Sequence, residues 1–317
     1  MLVPRHWEDN GELPANHEPP SAGRDDQPSP LSSPLCLREC AYAVLNPLVV
    51  DTADWDDLPS EPLVTGNVDV RPHLLPQLIH LAELPAETRL ALAERIEQHR
   101  QRGVALFCAL LDSRSPAERV AQHLKLHLEQ RRPGDKRRWW LRFYDPCVFR
   151  HLCWQLDADR MDRLLGPIDA WYWPDAQGHW HCRRHRSDQP SGVPHLLLDR
   201  AQWARIDRLA LLNRTLDVLE LAEPELEQDE TLWRWVDALL ERAERQPLPD
   251  EDDRQRYVEQ AVRFHPQIHT HPTIHARLER VREQGISYTE ACADLDDARM
   301  ASLAAELTGP DRRQEAP

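Results

Sequence analysis

The 317-residue sequence is poor in several features that define common protein classes. Its longest apolar run, Val104–Leu111, is far shorter than the roughly 20 residues that a membrane-spanning helix needs. The ten glycines form neither a phosphate-binding loop nor the Gly-x-Ser-x-Gly turn of many hydrolases. The seven cysteines are scattered and lack the paired Cys-x-x-Cys spacing of zinc ribbons. Because residues 1–34 also lack the apolar core of a signal peptide, we expect a cytoplasmic protein with reduced thiols.

Basic residues are outnumbered by acidic ones. The 39 Lys and Arg against 54 Asp and Glu give a net charge of −15 at pH 7. A field of this sign repels phosphate backbones at long range, so we expect no nonspecific nucleic-acid binding. The charge is −4 in residues 1–34, −1 in residues 35–200 and −10 in residues 201–306. The acidic excess therefore lies mainly in the C-terminal third.

Composition and periodicity divide the chain into four segments. Residues 1–34 hold seven prolines and too few apolar residues to offset chain entropy, which predicts a disordered tail. Residues 35–200 alternate short apolar runs with helical patterns, and we predict an α/β domain with a central sheet. Residues 201–309 show only the helical period and predict an all-α lobe. Residues 310–317 are expected to be a frayed tail.

Within residues 35–200 the pattern predicts the order of the elements. The expected strands lie within Cys40–Val50, Val104–Leu111 and Trp139–Tyr144, with a hairpin over residues 168–183. The expected helices begin near Pro85, at the capping box of Ser115 and Glu118, and at Asp145-Pro146. The third strand implies a crossover connection back to the sheet.

Two segments concentrate side chains that can bind metals. His179, His181, Cys182 and His185 follow the predicted hairpin turn, and a second group runs from His265 to His275 across two prolines. Neither has the ligand spacing of a standard zinc site. We therefore predict surface or capping histidines, with no metal and no cofactor.

The remaining reactive side chains also have structural interpretations. Cys108 lies inside an apolar run and Cys153 on a helix face, which predicts buried, inert thiols. The clustered acids fall in turns or at a helix start, where carboxylates cap amides: Asp54, Asp56, Asp57 and Asp250–Asp253. No nucleophile has an activating partner, so we predict no enzymatic activity.

One stretch is strongly basic. Residues 131–138 read Arg-Arg-Pro-Gly-Asp-Lys-Arg-Arg and precede Trp139 and Trp140. Cations beside aromatic rings suit single-stranded nucleic acids. In an acidic protein we favour a solvated hairpin-like connector, with a protein-docking patch as the next interpretation.

Four segments in order resemble a known bacterial family. They are Cys40–Leu48, His123–Lys125, the Arg-Phe-Tyr-Asp-Pro run within Leu141–Pro146, and Leu165–Trp171. The sequence is similar to type VI secretion effector adaptors, also called effector chaperones. The matching positions are Tyr42, His123, Leu124, Arg142, Phe143, Tyr144, Asp145 and Pro146. Asn46 stands where the family often has Asp, and Lys125 where it often has Arg.

The resemblance implies a non-enzymatic adaptor that binds a toxic effector and loads it onto the valine-glycine repeat spike protein. We interpret the motif as structural: Arg142 and Asp145 pair or cap, while Phe143 and Tyr144 pack at a corner of the chain. Trp233 is the candidate partner-binding residue, since Trp235 lies on the apolar stripe of its helix. The α/β domain is expected to carry the shared interaction, and the acidic lobe the selectivity for one effector.

Two other functional classes remain open. A metal-dependent hydrolase or effector rests only on the histidine segments and the acidic turns. An immunity protein that neutralises a toxin by acidic mimicry rests only on the charge of residues 201–306.

Overall fold

The computed structural model describes residues 37–66, 71–186 and 195–308. The tails predicted at residues 1–34 and 310–317 lie outside these described residues, and both remain predictions. The chain divides into two compact units. Among the described residues, the first unit contains those up to Leu124 together with residues 165–186, and the second contains Lys125–Leu164 together with residues 195–308.

The elements follow the chain in a mixed order, with strands confined to its first 184 residues in the described part. The strands are β1 (Tyr42–Leu45), β2 (Ser60–Pro62), β3 (Gln77–His80), β4 (Ala109–Asp112), β5 (Glu129–Arg131), β6 (Arg138–Trp140), β7 (Ala170–Pro174) and β8 (Trp180–Arg184). The α-helices are α1 (Ala86–Gln101), α2 (Ala117–Leu128), α3 (Pro146–Gln155), α4 (Ala158–Leu165), α5 (Arg200–Ala222), α6 (Glu230–Glu244), α7 (Glu251–Arg263), α8 (Pro272–Gln284), α9 (Tyr288–Ala291) and α10 (Asp297–Thr308).

A six-stranded sheet forms the centre of the first unit. Its order is β2-β3-β1-β4-β7-β8, and every pairing is antiparallel. All residues of β1 and β7 are buried, as uninterrupted apolar runs predict for strands covered on both faces. Leu110 of β4 lies opposite Ala43 on one side and Tyr172 on the other. The structure confirms the predicted α/β class with a central sheet followed by an all-helical C-terminal region.

The turns and helix starts of this region follow the sequence signals. The side-chain oxygen of Asn46 accepts a hydrogen bond from the Leu48 amide at 3.1 Å in the turn that follows β1. Helix α1 begins directly after Pro85, and Gly103 follows its end with a φ of 73°, which favours glycine. The hairpin predicted over residues 168–183 is confirmed as β7 and β8.

Two predicted strands differ from the observed ones. The run Val104–Leu111 contributes only its end to β4, although Leu106 and Phe107 are also buried. The strand predicted over Trp139–Tyr144 is limited to β6, which pairs with β5 in a separate two-stranded sheet. The predicted crossover into the main sheet is therefore wrong. The chain leaves β6 because it turns before α3, where the Asp145 amide donates to the Arg142 carbonyl at 3.0 Å.

The helices of the second unit are started by polar caps. Asp199 and Gln202 form a capping box at α5, and Asp229 caps α6. Ser287 caps α9 by accepting from the Glu290 amide, as its capping-box spacing predicts. One continuous apolar core contains buried residues of α5, α6, α7, α8, α9 and α10.

The division into units differs from the predicted boundary near residue 200. Residues 125–164 group with the helices that follow residue 191, rather than with the sheet. The proposed domains at 35–200 and 201–309 thus remain a prediction. Among the described helices, none combines the length and apolar character needed to cross a bilayer.

Candidate protein-interaction site

Three motif residues lie in the first unit and fix its backbone. The buried Tyr42 hydroxyl donates to the Ser115 carbonyl at 2.8 Å, and Leu124 is fully buried. Burial, helped by the nearby Glu83 carboxylate, raises the pKa of the Tyr42 phenol, so it remains a donor. The His123 ring packs against Gly166, whose φ is 55°, and a Cβ there would overlap the ring. The motif residues and Gly166 therefore connect β1, α2 and the turn before β7.

The rest of the motif lies in the second unit at the start of α3. Asp145 accepts a hydrogen bond from the Cys147 amide at 3.0 Å, and its other oxygen accepts from Arg142 at 2.9 Å. Pro146 occupies the first turn, where its missing amide hydrogen costs nothing. Phe143 and Tyr144 are both buried. Arg142 therefore pairs with Asp145, Asp145 caps α3, and the two aromatic side chains between them are buried.

The basic segment forms a hairpin of β5 and β6. Arg132 forms cation–π contacts with two indole rings. Its guanidinium carbon lies 3.8 Å from the ring centre of Trp139 and 4.3 Å from that of Trp203 on α5. The same guanidinium donates two hydrogen bonds to the Asp207 carboxylate, at 2.7 and 2.6 Å. The Trp139 indole nitrogen donates to Asp135 at 3.0 Å. These contacts hold the hairpin against the N-terminal half of α5.

The remaining cations of this hairpin differ in how they are paired. Arg138 lies 3.4 Å from Glu129, and Arg137 lies 3.2 Å from Asp135. Arg131 and Lys136 are exposed, and within the described residues the structure gives neither of them an ion pair. Arg131 lies directly opposite Arg138 in the strand register, where like charges repel. We define this set, Arg131, Lys136, Arg137 and Arg138, as the basic hairpin surface.

Trp233, the predicted partner-binding residue, is half-buried in an aromatic cluster of the second unit. Its ring centre lies 5.3 Å from that of His151, and the Arg150 guanidinium carbon lies 5.2 Å from it. His151 Nδ1 accepts from the Trp154 indole at 3.1 Å, and Nε2 lies 3.0 Å from the Asn213 side-chain oxygen. Burial, followed by the Arg150 charge, lowers the pKa of His151 to about 3. Trp233 thus contributes to this packing.

The histidine segments bind carboxylates and rings. His181 and His179 lie 2.9 and 3.3 Å from one oxygen of Asp175. His271 caps α8 and lies 3.1 Å from Glu306. His269 departs from the expected surface position: it is buried and stacked on Tyr257 at 3.4 Å, and burial lowers its pKa to about 3. Across residues 37–66, 71–186 and 195–308, no group of three or more His, Cys, Asp or Glu could hold a metal ion.

The thiols and turn acids carry structural contacts. Cys108 and Cys153 are half-buried, so the expectation of buried thiols is wrong for both. Asp57 accepts two hydrogen bonds from Arg95, at 2.7 and 2.8 Å, and these hydrogen bonds lower the pKa of its carboxyl. Asp250 caps α7. The buried Asp253 accepts from the Thr289 amide at 2.9 Å.

Two surface features were not predicted. The first is the contact between Arg132 and Asp207, which are 75 positions apart in the chain, so no local pattern signals it. At one end of the main sheet, Leu45, Gln77 and Pro62 are in register. The loops beyond them expose apolar side chains: Leu48, Val49, Val64 and Leu74. Hydropathy alone did not separate these exposed residues from buried ones of the same type.

The described residues therefore combine a motif whose side chains pair, cap and pack within the fold with an exposed basic hairpin. Residues 70–163 match the model of a family described as a domain of unknown function (DUF4123). This family is associated with type VI secretion effector adaptors. The match covers less than a third of the chain and includes His123, Leu124 and the run Arg142–Pro146, but not Tyr42. Neither a curated protein nor a solved structure matches the chain.

Proposed function

We propose that the protein is a non-enzymatic type VI secretion adaptor, which binds a toxic effector and loads it onto the valine-glycine repeat spike protein. The observation that carries this proposal is the match of residues 70–163 to the adaptor-associated family. The motif residues add support, because they occur in the order found in the family, with Tyr42 before the matched region and His123 and Arg142–Pro146 within it.

The use of the motif residues agrees with this role. The Tyr42 hydroxyl and the Asp145 carboxylate form hydrogen bonds to the backbone, and the His123 ring packs against Gly166. A shared framework with free surfaces suits a family whose members bind different effectors, because partner choice depends on surface charge and shape. We propose that residues 35–200 carry the shared interaction and that the acidic helices after residue 201 select the effector.

Trp233 remains our proposed partner-binding residue on those helices. It is half-buried, so part of the ring is available to a partner while the rest packs on His151. Tryptophan is enriched among residues that dominate interface energies.

A secretion assay in the producing bacterium tests the proposal. Deleting the gene should abolish secretion of the cognate effector while leaving the spike protein secreted, and the full-length protein should restore it. The purified protein should capture both the effector and the spike protein. Normal effector secretion in the deletion strain, or one zinc ion per purified chain, would contradict the proposal.

Charge reversal tests the proposed selectivity. Glu225→Lys with Glu227→Lys changes two exposed acids between α5 and α6 for which the described residues provide no ion pair. This variant should capture less effector, and the loss should shrink as salt screens the charges. The control Glu87→Lys with Glu94→Lys makes the same charge change on α1 and should capture effector normally. Equal capture by both variants would overturn the assignment of selectivity.

A further inference from the structure

We propose that the basic hairpin surface is a docking site for an acidic segment of a partner protein. The inference holds independently of the secretion role, because it rests on the geometry and charge of β5 and β6. The site consists of Arg131, Lys136, Arg137 and Arg138, with Arg132 as its anchor.

The first argument is that the hairpin is held in place before any partner arrives. Arg132 is fixed by two indole rings and by a bidentate contact to Asp207. Trp139 is fixed in turn by its hydrogen bond to Asp135. Exposed cations on a fixed hairpin lose less conformational freedom on binding than cations on a flexible loop. The surface therefore presents its charges at a low entropic cost.

The second argument is that the charges oppose the stability of the hairpin itself. Arg131 and Arg138 lie directly opposite each other across the two strands. Like charges at such positions destabilise a strand pair. Glu129 offsets the Arg138 charge at 3.4 Å, while Arg131 and Lys136 have no ion pair in the described part of the chain. Local violations of a folding rule are typical of functional sites.

The third argument concerns the chemistry of the partner. Arginine donates in pairs to carboxylates, and complementary charge raises association rates. Bases of a single-stranded nucleic acid need free aromatic faces. Arg132 already lies over the rings of Trp139 and Trp203, and the Arg137 guanidinium carbon lies 5.1 Å from the ring centre of Trp139. A polyphosphate chain or an anionic membrane extends over more of the acidic protein than a short acidic segment does, so the net charge of −15 opposes it more strongly.

Fluorescence anisotropy with a labelled decaglutamate peptide tests the site in the full-length protein. The wild type should bind at low salt, and binding should weaken as the Debye length falls below about 10 Å near 0.1 M salt. Arg131→Glu with Lys136→Glu should weaken binding about tenfold or more. The control Arg102→Glu with Arg299→Glu makes the same net charge change at two exposed positions elsewhere and should bind like the wild type.

A second variant separates binding from folding. Arg131→Gln with Lys136→Gln removes the charges without reversing them, and it should weaken binding by less than the Glu pair. Both variants should keep the wild-type circular dichroism spectrum, because the changed side chains are exposed. Equal loss of binding in the Arg102 and Arg299 control would show that only total charge matters, and it would overturn the proposal.

Three further probes test whether the surface binds an uncharged peptide, a single-stranded nucleic acid or an anionic membrane instead. A decaglutamine peptide, an oligothymidine strand and phosphatidylserine vesicles should each bind more weakly than decaglutamate. Tighter binding of the oligonucleotide or the vesicles would overturn the choice of a protein partner. Removal of residues 1–34, which carry −4, should leave decaglutamate binding unchanged. A large gain on removal would make that acidic segment of the same chain the occupant and overturn the proposal.

Discussion

The two units of the molecule bury different chemistry. In the first unit the inner strands β1, β4 and β7 are apolar and aromatic apart from Asp112 at the end of β4, and Leu110 is fully buried. The polar side chains buried in this unit include Gln77 and His99. The second unit buries an ion pair and a larger set of polar groups beside its apolar core. Arg208 and Asp237 are 6% and 8% exposed and 3.0 Å apart, and His151 lies 3.0 Å from Asn213.

This difference predicts different responses to mutation, pH and salt. The stability gained by burying an apolar strand depends little on protonation. Truncating one of its buried side chains leaves a cavity, which lowers the stability. A buried ion pair gains little net stability, but removing one partner leaves an uncompensated charge. A buried neutral histidine makes stability depend on pH. The second unit should therefore be the more sensitive one to solution conditions.

The largest effect is expected from breaking the buried pair of the second unit. Asp237→Asn leaves Arg208 with only Glu244, at 3.2 Å and on the more exposed side. We expect a loss of about 3–5 kcal/mol in the free energy of unfolding, measured by urea denaturation. The double variant Arg208→Met with Asp237→Leu should recover most of that loss. A double variant as unstable as the single one would show that the pair is needed for more than charge compensation.

A cavity in the sheet should have a similar or slightly smaller effect. Leu110→Ala removes a fully buried side chain between β1 and β7, and we expect a loss of about 2–5 kcal/mol. The control Leu90→Ala changes a leucine that is 70% exposed on α1, so its effect should stay within about 0.5 kcal/mol. The Leu110 variant should lose the same amount at high and low salt, because the cavity involves no charge. A strong salt dependence would contradict the proposed contrast between the units.

Acid should destabilise the second unit through its buried histidines. The pKa of both His151 and His269 is about 3 in the folded protein, below the ordinary value of 6.5. The unfolded chain thus binds more protons below pH 6.5, and stability falls as the pH decreases from there towards 3. We expect a loss of about 1–3 kcal/mol by pH 5.5. His151→Gln should reduce the slope of unfolding free energy against pH, and an unchanged slope would contradict this origin.

The start of α3, where Asp145 contacts Arg142 and the Cys147 amide, allows a test with a smaller expected effect on stability. Asp145→Ala removes the cap of α3 together with the Arg142 contact, and we expect a loss of about 1 kcal/mol. Arg142→Ala removes only an exposed ion pair and should cost no more than about 0.5 kcal/mol. Hydrogen exchange of the first-turn amides of α3 should increase in the Asp145 variant alone. Similar exchange in both variants would assign the stabilisation to the ion pair instead of the cap.

Local signals in the sequence predicted the elements whose stability is local. The apolar run around β1, the Asp145-Pro146 helix start and the Ser287 cap each depend on neighbours a few residues away. The contact of Arg132 with Asp207 and the pairing of Arg208 with Asp237 join distant parts of the chain. The sequence alone does not show which charged side chains are buried or which distant residues they pair with, so neither contact was predicted.

The same limit explains the errors at β6 and at His269. Trp139 and Trp140 have the composition of an inner strand, but their strand ends after three residues and pairs only with β5. The Trp139 ring contacts Arg132 rather than a sheet core. His269 lies between prolines and suggests a surface loop, yet Tyr257 from α7 stacks on it. In both cases tertiary contacts decided the outcome.

The smallest predicted effect has the opposite sign to the others. Arg131→Glu places a carboxylate opposite Arg138, where the wild type has two facing cations. An opposite-charge pair across antiparallel strands contributes about 0.2–1 kcal/mol, so this variant should be slightly more stable than the wild type at low salt. The gain should disappear at high salt, since Arg131 and Arg138 are both exposed. Lys136→Glu, in the turn of the same hairpin, has no cross-strand partner in the register and should give no gain. A gain from Lys136→Glu, or a loss from Arg131→Glu, would show that the wild-type hairpin is not strained by its own charges.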